Sequence, residues 1–506
     1  MNRRNFITRS AMAAAGTLGT LANPGWLVSA EPSSPTRIRI IYSLHGEKQE
    51  QPDWPNKGFD FKPAMERLNV LLAKSCPGFE FTPTLATGEA QAKKILDDDK
   101  AAGKIDGYIV YQMNCWNRVV QTMATSGKPV LYADFQFGGS GGFLVYNAAF
   151  LRQQSANVGF VASSDPKDLV AAVKCFATAR SGGTSFAAAT AKARLDRTPA
   201  MGKLKAANDN LKCLNADECL KQLKEMKILA VRSQESGPAG EIMGIKIQQV
   251  AFAELNEAWK AADKDEARAV ADNWTRSAAK VEGVTRETME TSAAMYLAQK
   301  ALLKNHGASG ITVNCLGGFY GGHIHAYPCL GFHQLLNEGL VGGCECDVRS
   351  AVTMLVGTTL TQGRPGYISD PVIDTSKDQI IYAHCVAANK AFGPKGQANP
   401  YEILTHSEDR QGASVRSLLP TGRLTTTLEF EQSRKEILFH QAVAVDNDPD
   451  DRACRTKLCA VPMGDIEKLF REWDAWGWHR VTFYGDLKQP VYALADKLGW
   501  KVVAEA

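Results

Sequence analysis

From Arg37 to about Arg180, short apolar runs alternate with longer segments of helical spacing. Arg37–Tyr42 (RIRIIY), Phe79–Leu85, Gly107–Gln112 (GYIVYQ), Pro129–Ala133 and Val158–Ala162 are β-branched or continuously apolar and predict strands. Phe61–Lys74, Glu89–Ala102, Asn117–Thr125 and Asp165–Ala179 predict helices, the last with an Asp cap. Strands that alternate with helices predict a parallel sheet. The segment Phe137–Phe143 (FGGSGGF) lacks the G-x-G-x-x-G spacing and the following helix start of a phosphate loop. It is expected to be a flexible loop near a ligand crevice.

A second unit of similar texture starts near Lys227. Ile228–Arg232 and Ile311–Cys315 predict strands, while Ala251–Ala262, Asp265–Val281, Thr285–Asn305 and Gly331–Glu338 predict helices. From about Gly366 the pattern changes to short β-rich pieces separated by turn residues: Gln379–Ala383, Leu424–Glu431, Val481–Tyr484 and Lys501–Val503. Helices are expected within the last part at Asp465–Trp473 and Pro490–Leu498. The expected fold class is therefore α/β, with two Rossmann-like, parallel-sheet domains (residues 31–180 and 181–365) and a β-rich C-terminal domain (366–506).

The first 30 residues read differently. Arg3-Arg4-Asn5-Phe6-Ile7 resembles a twin-arginine export signal, a weakly apolar stretch follows from Ala11 to Val28, and Val28-Ser29-Ala30 offers small residues to a signal peptidase. Gly16, Gly19, Pro24 and Gly25 break that stretch, so stable membrane insertion after cleavage is not expected. The expected location is the periplasm or another extracytoplasmic space. Hydrophobic residues make up 44% of the chain and charged residues 22%, as in a globular protein with a large core. The net charge of +4 comes without a dense Lys/Arg run, so no nucleic-acid partner is expected. The twelve cysteines contain no paired CxxC motifs, which argues against a zinc framework. Cys213 with Cys219, and Cys454 with Cys459, are spaced to close small disulfide loops or to remain buried thiols.

The candidate chemistry lies between Cys315 and Asp486. Gly342-Gly-Cys-Glu345-Cys-Asp347 places two carboxylates at the entry to an apolar helical pattern over Val348–Thr361, where they serve as metal ligands or as helix caps. Asp370 follows in Ile368-Ser-Asp-Pro, His384 ends the apolar run Ile380–Ala383, and His479 follows Trp476-Gly-Trp. Two carboxylates and two imidazoles can hold a divalent cation of the Mn²⁺ or Co²⁺ kind with two positions left open. Those positions suit a diol or hydroxy-carbonyl substrate. His323-Ile-His325 and the polar patch His406-Ser-Glu408-Asp409-Arg410 are further candidates for metal or sugar contacts. Trp473, Trp476 and Trp478 are candidate sugar-stacking rings or core. No G-x-S-x-G elbow is present, so serine hydrolase chemistry has no support.

The run from Gly343 to Asp370 (GCECDVRSAVTMLVGTTLTQGRPGYISD) resembles the L-fucose isomerase and L-arabinose isomerase group, in which a C-E-x-D-like motif opens a helix and a second acidic ligand follows some two dozen residues on. The sequence around His479, with Gly485 six residues later, is similar to the fucose-isomerase ending. His384 resembles an additional histidine ligand of the arabinose-isomerase branch. The motifs cover roughly residues 310–506, and over 31–310 only the α/β texture agrees. The resemblance implies a metal-dependent aldose–ketose isomerase with Glu345, Asp370, His384 and His479 as ligands. It further implies that Glu345 and Asp370 shuttle the proton between C1 and C2 through an enediol. Mn²⁺, or Co²⁺ or Mg²⁺, is the implied metal, a small sugar the substrate, and a homo-oligomer the assembly. Two other classes remain open: an exported sugar-binding protein on an isomerase scaffold, and another metal-dependent sugar epimerase or lyase.

Overall fold

The computed structural model describes residues 34–506 apart from Ser181, Gly183, Lys203 and Asn208. The twin-arginine segment lies outside the described residues. Among them, no helix is long and apolar enough to cross a membrane.

The continuously apolar runs form parallel strands because helices cover both faces of the sheet they build. β1 (Thr36–Ser43), β2 (Phe79–Ala86), β3 (Gly107–Gln112), β4 (Val130–Asp134) and β5 (Val158–Val161) pair in parallel in the order β2-β1-β3-β4-β5. In the second sheet β6 (Lys227–Arg232), β8 (Ile245–Ala251), β10 (Gly310–Val313) and β11 (Val341–Gly343) are parallel, and β7 (Gly237–Ile242) joins antiparallel at the edge, in the order β11-β10-β6-β8-β7. A small sheet combines β9 (Lys280–Glu282) with β14 (Tyr401–Leu404) and β15 (Ser414–Ser417).

The β-rich region closes on itself. β12 (Tyr367–Asp374), β13 (Gln379–His384), β18 (Thr456–Pro462), β17 (Glu436–Asn447), β16 (Arg423–Glu431) and β19 (Arg480–Tyr484) form an antiparallel ring, closed by the pairing of β16 with both β17 and β19. β20 (Lys501–Ala504) adds in parallel to β17. Closure leaves fewer unpaired edges than an open sheet. Between this barrel and the second sheet runs the helix Val348–Leu360, which contacts β6, β10 and β11 on one side and β12, β16 and β19 on the other. Every residue from Ser350 to Leu360 is buried, as expected for a helix apolar on all sides. Gly357 is required there, since a Cβ would overlap the ring of Phe483 on β19.

Several expectations are corrected. The hairpin β7–β8 was not foreseen, because exposed Pro238, Ala239 and Gly240 weaken the strand pattern. The helix expected over Asp265–Val281 ends at Ser277, and Lys280–Glu282 pair with β14 instead. The helix expected over Asp465–Trp473 is reduced to Ile466–Leu469 followed by a 3₁₀ turn at Trp473–Trp476. The FGGSGGF segment is no flexible loop, since a helix starts at Ser140. Its glycines are seats for close neighbours: a Cβ on Gly139 would strike the Gln112 backbone, and one on Gly141 the Trp478 ring. All twelve cysteines are free thiols, so neither candidate disulfide loop is formed. For Cys454 and Cys459 the reason is geometric: the mostly extended chain entering and running through β18 sets them about 16 Å apart, well beyond disulfide reach.

The barrel interior holds a buried polar chain. Arg480 Nε donates to Glu505 Oε1 at 2.8 Å, the other Glu505 oxygen pairs with His440 Nδ1 at 2.7 Å, and His440 Nε2 meets the Tyr382 hydroxyl at 2.5 Å. Arg480 also donates to the carbonyls of Trp473 and His479, at 3.0 and 2.9 Å. Burial alone would raise the Glu505 pKa, but Arg480 and His440 hold it below the usual carboxylate range. Its stabilising contribution is thus present above about pH 4.3, the unfolded value, and is lost as pH falls through the lower folded value. Glu505→Gln leaves Arg480 buried without its counter-ion and is expected to cost about 3–5 kcal/mol. Chemical denaturation at pH 7 measures that loss, and the difference from the parent protein should shrink in acid.

A candidate metal centre between the second sheet and the barrel

Each candidate ligand sits where an element ends or turns. β11 runs out at Gly343 into a turn in which Glu345 and Cys346 adopt left-handed φ values of +60° and +52°. Such values are uncommon for residues with a Cβ and mark constrained, often functional positions. The turn aims Glu345 away from the helix that follows. Asp347 is the N-cap of that helix, accepting from Ser350 N at 3.0 Å. Of the two carboxylates that the sequence places here, one caps and the other faces the site. Asp370 projects from β12 and His384 from the last position of β13. His479 immediately precedes β19, its carbonyl held by Arg480.

Side-chain ligand atoms of Glu345, Asp370, His384 and His479 all lie within 4.8 Å of one another. His479 Nε2 is 3.5 Å from Glu345 Oε2 and 3.3 Å from Asp370 Oδ1. The rings of His384 and His479 stack at 5.5 Å. Asp370 Oδ1, His384 Nε2 and His479 Nε2 are buried without a hydrogen-bond partner, whereas buried polar atoms are normally satisfied. His479 Nδ1 lies 3.0 Å from Asp347 Oδ2. A carboxylate on one ring nitrogen fixes the proton there and turns the lone pair of Nε2 toward the cluster, the usual support for a metal-binding imidazole. The donor set of two carboxylates and two imidazoles fits a divalent ion.

Charge accounts agree. Burial disfavours a charged His479, but Glu345, Asp347 and Asp370 outweigh it and push the imidazole pKa well above its ordinary value. Burial likewise opposes ionisation of Glu345 and Asp347, yet His479 holds both below the usual range. The geometry and charge of the cluster thus suit a cation, and a proton on His479 balances the same carboxylates.

The cluster opens into a cleft of about 570 Å³. Glu345, Asp347, Asp370 and His479 line one part of it, and Asp53, Trp54, Trp116, Tyr320, Glu408 and Trp478 are among the rest. Trp116 is 53% exposed, has a φ of +63° and lies 5.1 Å from the Trp478 ring. Burial pushes the carboxyl of Asp53 up to about 6 and that of Glu408 up to about 8. Asp53, Trp54 and Trp116 were not recognised in the sequence. They come from loops of the first unit, and nothing local signals their approach to residues some 300 positions later.

The other candidates separate clearly. His323 stacks on Phe252 and His325 packs near Trp259, and neither joins the cluster. In the polar patch Glu408 reaches the cleft, accepting from the Tyr320 hydroxyl at 2.9 Å, while His406 is buried beside Asp409 at 3.5 Å. Trp473 and Trp476 are core, and Trp478 alone of the three lines the cleft. Cys344 is packing, its sulfur 2.9 Å from that of Cys315.

No family model matches the chain. Among curated proteins it is similar to a sulfoquinovose isomerase from Clostridium sp. (strain MSTE9), 24% identical over 306 residues that cover 56% of this chain and 66% of that protein. A sulfoquinovose isomerase from Priestia megaterium is 26% identical over 230 residues, 42% of this chain and 50% of that one. An L-arabinose isomerase from Bacteroides thetaiotaomicron is 25% identical over 283 residues, 52% and 55% of the two chains. The chain thus spans between half and two thirds of the length of these relatives. A solved solute-binding protein from Bacillus halodurans with bound myo-inositol covers 65% of this chain and 90% of its own, at 15% identity and a TM-score of 0.18, too low to bear on the fold.

The seat under Trp478 is testable without any ligand. Gly141→Ala drives a methyl group into the indole and is expected to destabilise by about 1–3 kcal/mol, read from thermal denaturation.

Proposed function

We propose that this protein is an aldose–ketose isomerase whose divalent ion is held by Glu345, Asp370, His384 and His479. The observation that carries the proposal is the convergence of these four side chains, with three buried, unpartnered ligand atoms among them. Similarity to curated sugar isomerases supports the same reaction class. We read the parallel first sheet and the mainly parallel second sheet as Rossmann-like units, the cluster lying beyond the C-terminal end of β11 as ligand sites do in such sheets.

A bound divalent ion would supply Lewis acidity toward a carbonyl and its neighbouring hydroxyl. The residues supply the rest. Glu345 and Asp370 each present a carboxylate oxygen to the substrate carbons, so one takes the proton from C2 or C1 and the other returns it. His479, locked by Asp347, keeps its lone pair on the ligand side. Trp116 and Trp478, with rings 5.1 Å apart, give the cleft an aromatic surface. Mn²⁺ is the ion we favour, with Co²⁺ or Mg²⁺ as substitutes. Export by the twin-arginine route and a homo-oligomeric assembly belong to the same proposal.

The substrate is a sugar, and the cleft favours an uncharged one. Asp53, Glu345, Asp347 and Asp370 line it beside Glu408, whose carboxyl burial pushes up to about 8, and among the described residues no Lys or Arg does. An anionic sugar would enter against that field.

Elemental analysis of the isolated protein is expected to find about one divalent ion per chain, lost in a Glu345→Gln/His479→Ala double variant. No ion in the parent protein, even after incubation with Mn²⁺, would overturn the isomerase proposal in favour of sugar binding alone. Glu345→Gln alone should lower kcat by at least about 100-fold, the scale of a lost acid–base group, with neutral aldoses turned over faster than sulfonated ones. Because the ion displaces a proton from His479, Mn²⁺ affinity is expected to rise from pH 5 to pH 8 and binding to release a proton. Calorimetry in buffers of different ionisation enthalpy reads this directly.

A further inference from the structure

We propose that Glu429 is a protonated positioning residue for the candidate centre, holding Ser350 and Asp347 and through them the proton on His479 Nδ1. Its consequence for metal binding rests on the metal reading above, while its protonation state does not.

Two acids share the single hydrogen of one hydroxyl. Ser350 Oγ lies 2.8 Å from Asp347 Oδ2 and 2.6 Å from Glu429 Oε1. A hydroxyl has one hydrogen, and an ionised carboxylate offers none. Both contacts are hydrogen bonds only if one of the two acids carries a proton. Asp347 is the wrong place for it. Its Oδ1 accepts from Ser350 N, and its Oδ2 faces His479 Nδ1 at 3.0 Å. Glu429 is the right place. It is fully buried on β16, where that strand meets the helix Val348–Leu360. Its Oε2 is occupied by the hydroxyl of Thr353 at 2.8 Å, and Thr353 in turn accepts from Phe430 N at 3.1 Å. That leaves Oε1 to hold the proton and donate it to Ser350.

The charged groups facing Glu429 are Asp347 and Arg349. Arg349 Nε approaches Oε2 only to 3.9 Å and makes no hydrogen bond, while its Nη1 is committed to Glu431 at 3.1 Å. Burial, with Asp347 beside it, pushes the Glu429 carboxyl up to about 7, in the same direction as the hydrogen bonding.

The chain then has one direction. The Glu429 carboxyl donates to Ser350 Oγ, Ser350 donates to Asp347 Oδ2, and His479 Nδ1–H donates to the same oxygen. Asp347 is kept ionised and oriented, so the His479 proton stays on Nδ1 and the Nε2 lone pair stays free for an ion. An ionised Glu429 would compete with Asp347 for the single Ser350 hydrogen and release this arrangement.

Glu429→Gln preserves the pattern, since its amide N–H donates to Ser350 while its oxygen accepts from Thr353. Glu429→Leu and Ser350→Ala break it. At pH 6 the infrared spectrum of the parent protein minus that of Glu429→Gln is expected to contain a protonated-carboxyl band. A carboxylate band there instead overturns the proposal. Mn²⁺ titration should find Glu429→Gln within about threefold of the parent, and Glu429→Leu and Ser350→Ala weakened about 10- to 100-fold, the scale of a lost outer-sphere partner. Equal loss in Glu429→Gln and Ser350→Ala would mean that the carboxylate charge is what matters, which also overturns it. If Glu429→Leu does not fold, the infrared difference and the other two variants decide. If the parent binds no Mn²⁺, the metal reading fails, and the infrared difference still tests the proton on Glu429.

Discussion

Three carboxylates gathered around one buried imidazole place negative charge where water screens it only in part, and that charge calls for a cation among them. His479 meets this demand as an imidazolium, or a divalent ion meets it with His479 as ligand. The rest of the site follows from that constraint. Asp347 has to be ionised to pin the imidazole, so it caps a helix whose N-terminal N–H groups and dipole stabilise the charge. Glu345 has to turn away from that helix to reach the same point, which it does through two consecutive residues in left-handed conformation.

The barrel supplies the rigidity that such a cluster needs. Asp370 and His384 lie on the paired strands β12 and β13, where Asp370 is opposite Ala383, so the two side chains are set by sheet register rather than by a loop. His479 is fixed from its backbone side by Arg480, which the buried Glu505 holds, and Glu505 is held in turn by His440. The helix Val348–Leu360 joins this barrel to the second sheet, and its polar residues Ser350 and Thr353 are the ones that meet Glu429. Hydrophobic packing thus sets the distances, and a few buried hydrogen bonds set the orientations.

The cleft joins pieces with different tasks. The cluster belongs to the second sheet and the barrel, and another part of the lining comes from loops of the first sheet bearing Asp53, Trp54 and Trp116. A binding protein would need such walls but would have little use for a pair of carboxylates sharing buried, unpartnered space with two imidazoles. That difference separates the enzymatic reading from a purely sugar-binding one.

Much of this was legible in the chain itself. Continuous apolar runs between helical segments determined the parallel sheets, because a strand covered on both faces needs apolar residues on both. The break in texture near Gly366 marked the β-rich region, and the cluster Glu345, Asp370, His384 and His479 was marked by polar groups placed where packing alone would not put them. Only the tertiary structure decided that Asp347 caps the helix and faces His479 Nδ1, that His323 and His325 stand apart, and that FGGSGGF is a seat for Trp478. It alone brought in Trp116 from the first unit and Glu429 from the barrel. Those assignments depend on distances between residues far apart in sequence. Such distances follow from sheet closure and helix packing, which no local pattern encodes.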